Sequence, residues 1–269
     1  MNRQRSISFE KILTGIRNRQ QTMASSKPDK FSCTGCGRMF EPEWDRLDRQ
    51  WGFPEISDTG LCRQCLKLKN IRENIETVMK DAGIPIKHLG CTFENFHVSA
   101  ENGELVDTCR QYVKDHYQNF SWLYVYGSCG TGKTHISVSI ARELLLLGKQ
   151  VMFTCVPQLC YNIRQTFQVN LKETEQDVIK TYITCDYLML DDLGIEKPTE
   201  WVKKTIGYII YERDNRLKPT IITSNLSLDD IAKQIGTRTV SRLVGNGPVI
   251  RLRGPDWRLE KRRENSSKH

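Results

Sequence analysis

The sequence of 269 residues has no long hydrophobic run. A helix that crosses a membrane needs about 18 or more apolar residues in a row, whereas the leucine tract at residues 144–147 holds only four. No apolar segment of the signal-peptide type follows the basic residues near the N-terminus. Internal repeats and low-complexity tracts are also lacking, which argues against repeat and fibrous architectures. We therefore expect a globular, cytoplasmic protein without a membrane partner.

Charge and cysteine content narrow the classes of partner and of covalent chemistry. The chain carries 40 Lys and Arg residues against 32 Asp and Glu residues, a formal net charge of +8. Residues 1–30 and 258–269 are basic, which suits contact with phosphate groups but is equally typical of solvated termini. Ten cysteines in a cytoplasmic protein indicate free thiols or metal ligands, because disulfides rarely persist in a reducing compartment.

Two regions differ in their residue patterns, and we expect the domain boundary between residues 85 and 86. Residues 1–85 are polar, are interrupted by glycine and proline, and contain two close cysteine pairs. Residues 86–269 alternate short β-branched and aromatic runs with segments of helical periodicity. This alternation predicts an α/β domain whose mainly parallel sheet is flanked by helices on both faces. The predicted strands are residues 122–126, 151–155, 187–190 and 220–223, and the predicted helix signals are Gly148 as a stop, Pro157 as a start and Ser227 as an N-cap.

Residues 127–135, GSCGTGKTH, lie between the first predicted strand and a predicted helix. They match the phosphate-loop pattern G-x-x-x-x-G-K-[ST], in which glycines let backbone N–H groups point at an anion beside a positive helix end. Lys133 is expected to reach the β- and γ-phosphates, and the Thr134 hydroxyl is expected to ligate Mg²⁺. A glycine-rich turn without a ligand is the alternative, which the strand-loop-helix context disfavours. The expected nucleotide-binding residues are Gly127, Ser128, Cys129, Gly130, Thr131, Gly132, Lys133, Thr134 and His135.

Cys129 occupies a variable position of this loop. It lies beside Lys133 and ahead of a helix N-terminus, a setting that favours a reactive thiolate. We therefore expect its alkylation to block nucleotide binding, with an inert small residue as the alternative.

Two carboxylates and an amide follow later strands. Asp191 is expected to hold Mg²⁺, and Asp192 is expected to orient and activate the attacking water. Capping of a turn is the alternative for this pair. Asn225 follows the fourth predicted strand, where it would hold the water or sense the γ-phosphate, although a lone Asn is more often a turn former. Together with the phosphate loop, these residues predict a site for nucleotide hydrolysis.

Two C-x-x-C pairs in the N-terminal region predict a zinc site. Four thiolates give Zn²⁺ a closed tetrahedral shell, which leaves no open position for catalysis and makes the metal structural. The alternatives are a redox pair or unrelated thiols. The expected ligands are Cys33, Cys36, Cys62 and Cys65, with His88 and Cys91 as substitutes.

The motifs GSCGTGKTH, LMLDDLG, TSNLS, GTRTVSRL and GPDWR occur in this order, behind a lead-in CTFENFHVSAEN at residues 91–102. The combination resembles the ATPase domain of the DnaC/DnaI-type replicative helicase loaders, which are AAA+ ATPases, and that of the related transposition helper IstB. The resemblance covers residues 90–258, about two thirds of the chain, and its specificity lies in the combination rather than in the phosphate loop. It implies a AAA+ domain at residues 86–269 behind a small zinc-binding domain at residues 1–85.

The resemblance also assigns arginines by position. Arg242 matches an arginine finger that reaches the ATP of a neighbouring subunit, with Arg238 as the alternative finger. Arg258 matches the second sensor arginine. An intrachain ion pair or a contact with DNA phosphate is the alternative role for Arg242.

The helix expected at residues 157–167 matches the element that faces single-stranded DNA in the loaders. Arg164, with Tyr161 or Phe167, would suit backbone contact and base stacking. An ordinary amphipathic helix with buried aromatic residues is the alternative.

The resemblance implies a helicase loader that binds ATP, Mg²⁺, Zn²⁺ and single-stranded DNA. Such a protein would self-associate through its ATP site and deliver a replicative hexameric helicase, which residues 1–85 would contact. One alternative is an IstB-like ATPase that acts on duplex DNA. Another is an adaptor that is gated by nucleotide and hydrolyses it only incidentally.

Overall fold

A computed structural model describes residues 29–45, 50–52, 55–57, 59–99, 102–115, 122–166, 174–194 and 198–266. The chain forms two compact units, Met1–Glu73 and Asn74–His269. Most of the predicted basic arm, residues 1–28, lies outside the described residues, as does Phe167. None of the helices within those ranges is long and apolar enough to cross a membrane. The functional boundary expected between residues 85 and 86 stays a prediction.

The first unit consists of short elements around its cysteines. Its described elements are β1 (Phe31–Ser32), β2 (Met39–Phe40), β3 (Glu43–Asp45), β4 (Gln50–Gly52) and α1 (Arg63–Glu73). β1 pairs antiparallel with β2, and β3 pairs antiparallel with β4. Among the described side chains of this unit, the buried apolar ones are Phe31, Cys33, Pro42 and Cys62. A bound metal would add to the stability that these described side chains supply.

The second unit is built on a five-stranded parallel sheet. Its strands are β5 (Leu123–Tyr126), β6 (Val151–Cys155), β7 (Tyr187–Asp191), β8 (Thr220–Ser224) and β9 (Val249–Arg251), in the spatial order β6-β7-β8-β5-β9. The four predicted strands are confirmed, and each end agrees to within one residue. The sequence pattern does not predict β9, because this strand has three residues and none of them is buried.

Helices cover both faces of the sheet, which confirms the predicted α/β architecture. They are α2 (Ile75–Asp81), α3 (Gly103–Lys114), α4 (Lys133–Leu146), α5 (Val156–Gln165), α6 (Glu175–Thr184), α7 (Glu200–Asn215), α8 (Leu228–Ile235), α9 (Thr237–Gly245) and α10 (Trp257–Ser266), with a turn of 3-10 helix at Ile86–His88. Leu123 and Val125 pack into one core with α2, α3 and α4, whereas Trp122 and Tyr124 pack into a second core with α5 to α9. This alternation is expected of a strand buried on both faces.

Local sequence signals set several helix ends. Gly148 has a φ of 77° and follows the end of α4, which confirms the predicted stop. Pro157 is in the first turn of α5, where its missing N–H costs no hydrogen bond. Ser227 Oγ accepts a hydrogen bond from the Asp230 backbone N–H at 3.3 Å, so Ser227 caps α8 as predicted.

Arg213 is a buried cation that joins three elements of the second unit. Its guanidinium donates to three carbonyls at the C-terminal end of α6, those of Tyr182, Ile183 and Cys185. It also donates to the Pro219 carbonyl and to Thr220 Oγ1 at the start of β8. The negative end of the α6 dipole favours the positive charge at this place. Arg213 therefore ties α6 and α7 to the beginning of β8.

Candidate functional site

The predicted phosphate loop joins β5 to α4 at the carboxyl end of the sheet. Gly130 and Gly132 have φ values of 75° and 103°, which other L residues rarely adopt. A Cβ atom at Gly127 would lie 2.1 Å from the Leu252 carbonyl oxygen, and one at Gly132 would lie 2.7 Å from the Phe96 ring. Glycine is therefore required at these positions by the backbone and by the neighbours. The loop leads straight into the first turn of α4, whose unpaired N–H groups suit an anion.

Lys133 is the first residue of α4, and its side chain is buried against the loop. Nζ donates hydrogen bonds to the carbonyls of Gly127 at 2.9 Å and Ser128 at 2.7 Å. Burial lowers the pKa of Lys133, and the nearby carboxylates of Asp192 and Asp191 partly oppose that effect. The ammonium group therefore lies against the loop carbonyls, where both carboxylates act on its charge, and its contact with phosphates stays a prediction.

Asp191 connects the loop to two strands. The Thr134 hydroxyl donates to Asp191 Oδ2 at 2.9 Å, and the Thr223 hydroxyl of β8 donates to Asp191 Oδ1 at 2.6 Å. Burial raises the pKa of Asp191 to about 6, although both hydroxyls and the Lys133 charge favour the ionised form. The structure thus brings together the two residues that are expected to hold Mg²⁺. A hydroxyl and a carboxylate are hard oxygen ligands of the kind that Mg²⁺ prefers.

Asp192 directly follows β7 in the left-handed backbone region, with a φ of 55°. Asp and Asn adopt this conformation more readily than other L residues. The Asp192 backbone N–H donates to Thr223 Oγ1 at 2.9 Å, so Thr223 contacts both the Asp191 carboxylate and the Asp192 backbone. The Asp192 side chain is half-buried, and Asn225 lies exposed just after β8. Since β7 and β8 are neighbours, both residues follow strand ends at the same edge of the sheet.

The start of α10 packs on the phosphate loop. The Trp257 backbone N–H donates to the Gly130 carbonyl at 3.2 Å, and a Cβ atom at Gly130 would lie 1.9 Å from Asp256 Oδ1. Asp256 Oδ1 also accepts from the Arg258 backbone N–H at 3.0 Å, which caps the helix. The positive charge of Arg258 contributes to the lowered pKa of Lys133, after the larger effect of burial. The structure therefore brings Arg258 near the loop.

The other predicted loop residues divide into internal and exposed positions. His135 Nε2 forms a hydrogen bond with the Thr92 carbonyl at 2.8 Å, so its ring contacts the lead-in segment. Thr131 is buried, and its hydroxyl donates to the Ser128 carbonyl at 2.9 Å. Cys129 is exposed. Solvent can therefore reach the Cys129 thiol.

Arg242 lies on α9, where it contacts α7 of the same chain. Its Nε is 3.2 Å from Asp214 Oδ2, and its guanidinium carbon is 5.0 Å from the centre of the Tyr211 ring. Arg238, one turn earlier, is exposed. Within one chain Arg242 thus forms the intrachain ion pair that was the alternative, and its action on a neighbouring subunit stays a prediction.

The helix that is expected to face DNA is α5, an amphipathic helix. It buries Leu159, Cys160 and Ile163. Tyr161 is 58% exposed, contrary to the alternative in which the aromatic residues are buried. The Arg164 guanidinium lies 5.6 Å from the centre of the Trp201 ring, a cation–π contact that the sequence does not suggest.

The four cysteines of the two C-x-x-C pairs form one cluster in the first unit. The sulfur atoms of Cys33, Cys36, Cys62 and Cys65 all lie within 4.8 Å of one another. The Cys36 and Cys62 sulfurs are 3.9 Å apart. Zn–S bonds of about 2.3 Å in a tetrahedron place sulfurs about 3.8 Å apart, so the cluster fits Zn²⁺.

The ionisation of these thiols also favours a cation. Burial opposes ionisation of Cys33, but backbone N–H groups that donate to its sulfur lower its pKa to about 6. Burial, the hydrogen bonds of the other thiols and the charge on Cys33 raise the pKa of Cys65 to about 12. Four thiolates this close repel one another unless a metal compensates their charge. The suggested substitutes His88 and Cys91 lie in the second unit, where Nδ1 and Sγ are 3.9 Å apart.

Sequence reasoning missed three contributors to these sites. Thr223 is the first residue of the quoted motif TSNLS, but its hydrogen bonds to the Asp191 carboxylate and the Asp192 backbone depend on the β7-β8 register. Asp256 lies in the GPDWR motif, where only the arginine is singled out. Asp214 has no local signal, because its partner Arg242 is distant in sequence.

Comparison with known proteins identifies what this chain is similar to. A family model described as IstB-like ATP binding protein matches residues 61–265. The replicative helicase loader DnaC of Escherichia coli K12 is 29% identical over 184 residues, which are 67% of this chain and 74% of that protein. The replicative helicase loader DnaI of Bacillus subtilis 168 is 30% identical over 163 residues, which are 58% of this chain and 50% of that protein.

A crystal structure of the DnaC helicase loader also matches, with a TM-score of 0.57 and 26% identity. It covers 63% of this chain and all of the other. These findings confirm the predicted resemblance and the AAA+ fold of the second unit.

Proposed function

The chain belongs to the family of IstB-like ATP-binding proteins, and from this premise we propose that it is a Mg²⁺-dependent ATPase that loads a replicative ring helicase. The hydrogen bond between the Thr134 hydroxyl and Asp191 is the observation that carries the ATPase proposal. It joins the phosphate loop to the acidic edge of the sheet, which are the two parts that nucleotide hydrolysis requires. The loader part rests on the similarity to DnaC and DnaI.

The residues of the loop and the acidic edge would share the work of hydrolysis. The loop N–H groups and Lys133 would bind the phosphates of ATP. Thr134 and Asp191 would hold Mg²⁺, which would neutralise phosphate charge. Asp192 would accept a proton from the attacking water. The oxygen of that water would bond to the γ-phosphorus while the bond from phosphorus to the leaving ADP oxygen breaks. Arg258 and Asn225 sense the phosphates. Catalysis on this scheme is positioning and charge stabilisation rather than covalent chemistry.

Zn²⁺ on Cys33, Cys36, Cys62 and Cys65 would stabilise the first unit. The close packing of the four sulfurs supports a structural role, because four cysteine ligands leave no open position on the metal. We propose that this unit, with residues 74–85, contacts the helicase. Single-stranded DNA would bind at α5, where Tyr161 is exposed for stacking and Arg164 for backbone contact.

A single substitution tests whether hydrolysis, rather than nucleotide binding alone, is part of the function. Asp192→Asn should keep ATP affinity but lower the rate of phosphate release by roughly a hundredfold or more, because the proton acceptor is lost. The fold should persist, because Asn also adopts the left-handed backbone conformation of this position. The matched control is Asp229→Asn, an exposed carboxylate on α8. An Asp192→Asn protein that still loads helicase would support the nucleotide-gated adaptor, and one that hydrolyses at the normal rate would refute the assigned role.

The choice of DNA separates the loader from an IstB-like helper. A loader should prefer single strands, with affinity that falls as salt rises because phosphate contacts release counterions. Arg164→Ala should weaken this binding, whereas Arg216→Ala, at an exposed residue just after α7, should not. Preference for duplex DNA over single strands of equal length would favour the IstB-like alternative.

Mixing of inactive variants tests whether Arg242 acts between subunits. Lys133→Ala and Arg242→Ala chains should each be nearly inactive alone, since an arginine finger can contribute roughly a thousandfold in rate. A mixture should regain activity, because Lys133→Ala chains lend an intact arginine to Arg242→Ala chains with intact loops. No recovery in mixtures shown to co-assemble would count against Arg242 and direct attention to Arg238.

A further inference from the structure

Arg242 of α9 is held by two side chains of α7 and by one residue just after α9. Asp214 Oδ2 lies 3.2 Å from Arg242 Nε, and the Tyr211 ring lies under the guanidinium, with 5.0 Å between the guanidinium carbon and the ring centre. Asn246 Nδ2 donates both to Asp214 Oδ1 and to the Arg242 carbonyl, each at 2.8 Å. Asp214 therefore holds one edge of the guanidinium and Tyr211 covers one face, while the Asn246 amide holds Asp214 in turn.

This arrangement contributes little to the stability of the fold. The Arg242 and Asp214 side chains are 34% and 25% exposed, and ion pairs that solvent reaches are weak. Asp214 also lies in the last turn of α7, where the helix dipole disfavours a carboxylate. An acid at this position has its clearest benefit in orienting Arg242.

We propose that Asp214, Asn246 and Tyr211 are positioning residues, which orient Arg242 for the ATP of a neighbouring subunit. The inference rests on the proposed role of Arg242 as a finger that acts between subunits. A free arginine side chain has many rotamers, and the entropy lost on ordering it would weaken the interaction with the transition state. Because the network orders the side chain before assembly, that loss does not fall on the catalytic step.

The test places Asp214→Asn separately on each partner of a mixed assembly. In one mixture, Lys133→Ala chains that also carry Asp214→Asn supply the arginine, and Arg242→Ala chains supply the intact phosphate loop. In the other, the Lys133→Ala chains are otherwise unchanged, and Asp214→Asn is added to the Arg242→Ala chains. Both are compared with the Lys133→Ala and Arg242→Ala mixture, at equal co-assembly measured by light scattering.

Asp214→Asn on the arginine-supplying chain should lower the kcat of the mixture roughly tenfold or more and leave the KM for ATP unchanged, because only the transition-state contact is misplaced. The same substitution on the loop-supplying chain should have no effect. Glu212→Gln on the arginine-supplying chain is the matched control, since Glu212 is another α7 acid in an ion pair, with Arg216 at 3.1 Å. It should leave kcat unchanged.

Three results would overturn the proposal. Equal losses on both chains would show a structural effect of Asp214. An unchanged reaction with Asp214→Asn on the arginine-supplying chain would show that Asp214 does not orient Arg242. A faster reaction would show that Asp214 restrains Arg242 from reaching the ATP. If the reference mixture of Lys133→Ala and Arg242→Ala chains is inactive although it co-assembles, the finger assignment fails together with this inference. If the reference mixture is active, the finger assignment stands and the Asp214→Asn mixtures test this inference separately.

Discussion

Replacement of Asp191 by Asn should stabilise the nucleotide-free protein while removing a proposed Mg²⁺ ligand. Asp191 is buried, and burial raises its pKa from an ordinary value of 3.8 to about 6. Between these two values the folded protein holds a proton that the unfolded chain releases. Stability therefore falls as pH rises through this range, and above about pH 6 the protein carries the full cost of a buried carboxylate.

The size of the effect follows from that shift. A difference of about two pKa units corresponds to about 3 kcal/mol. Removal of the buried charge by Asn would therefore stabilise the fold by up to this amount. Part of that stabilisation is lost, because the Asn amide oxygen accepts only one of the two hydroxyl hydrogen bonds from Thr134 and Thr223, and a lost hydrogen bond costs about 1 kcal/mol. Asp191→Asn should therefore raise the free energy of unfolding by about 2 kcal/mol near neutral pH. The gain should nearly vanish at about pH 4.5, where the wild-type side chain is protonated in the fold.

Urea unfolding followed by circular dichroism, in buffer without Mg²⁺ or nucleotide, measures this difference. Asp192→Asn is the control, since its side chain is only half-buried, and it should give a smaller gain by removing repulsion between the two acids. If Asp191→Asn is no more stable than the wild type near neutral pH, or equally stabilised at both pH values, the argument from burial is wrong.

Three further predictions concern cysteines and the buried arginine. Zinc should copurify at about one ion per chain, as measured by metal analysis. The Cys62→Ser variant should lose the zinc and unfold in its first unit while nucleotide binding persists, whereas the control variant Cys91→Ser should keep the zinc. Alkylation of the exposed Cys129 should block ATP binding, and ATP should protect the thiol; equal labelling with and without ATP would contradict this. Arg213→Ala should lower the free energy of unfolding by about 3–5 kcal/mol, because it leaves buried carbonyls without donors, whereas the exposed Arg216→Ala should change it by less than about 1 kcal/mol in the same urea assay.

Local signals explain why much of this molecule is predictable. The strand-loop-helix at Gly127 to Thr134 and the two C-x-x-C pairs are short motifs whose ligands come from single turns, so residue spacing reports their geometry directly. The four predicted strands are runs of mostly buried residues, and their alternation with helices predicts the parallel α/β architecture. The AAA+ assignment rests instead on the resemblance to the helicase loaders.

The features that the sequence conceals depend on contacts between distant segments. β9 is short, and Gly247 just before it packs so closely that a Cβ atom there would lie 1.7 Å from the Trp122 carbonyl oxygen. Thr223 forms hydrogen bonds with the Asp191 carboxylate and the Asp192 backbone only because β8 lies beside β7. The pairing of Arg242 with Asp214 likewise requires that α9 pack against α7, and no periodicity in either helix reveals that contact.

Loading of a ring helicase onto closed circles of single-stranded DNA tests directly whether the chain is a helicase loader. A circle has no end over which a ring can thread, so a helicase reaches it only if the ring is opened. We expect the replicative hexameric helicase of the same host to become bound to circles, in a form that resists competitor DNA, when the full chain and ATP with Mg²⁺ are both present. Lys133→Ala should not support this transfer. Equal recovery of helicase on circles with and without the chain, or no binding of the chain to that helicase, would contradict the account.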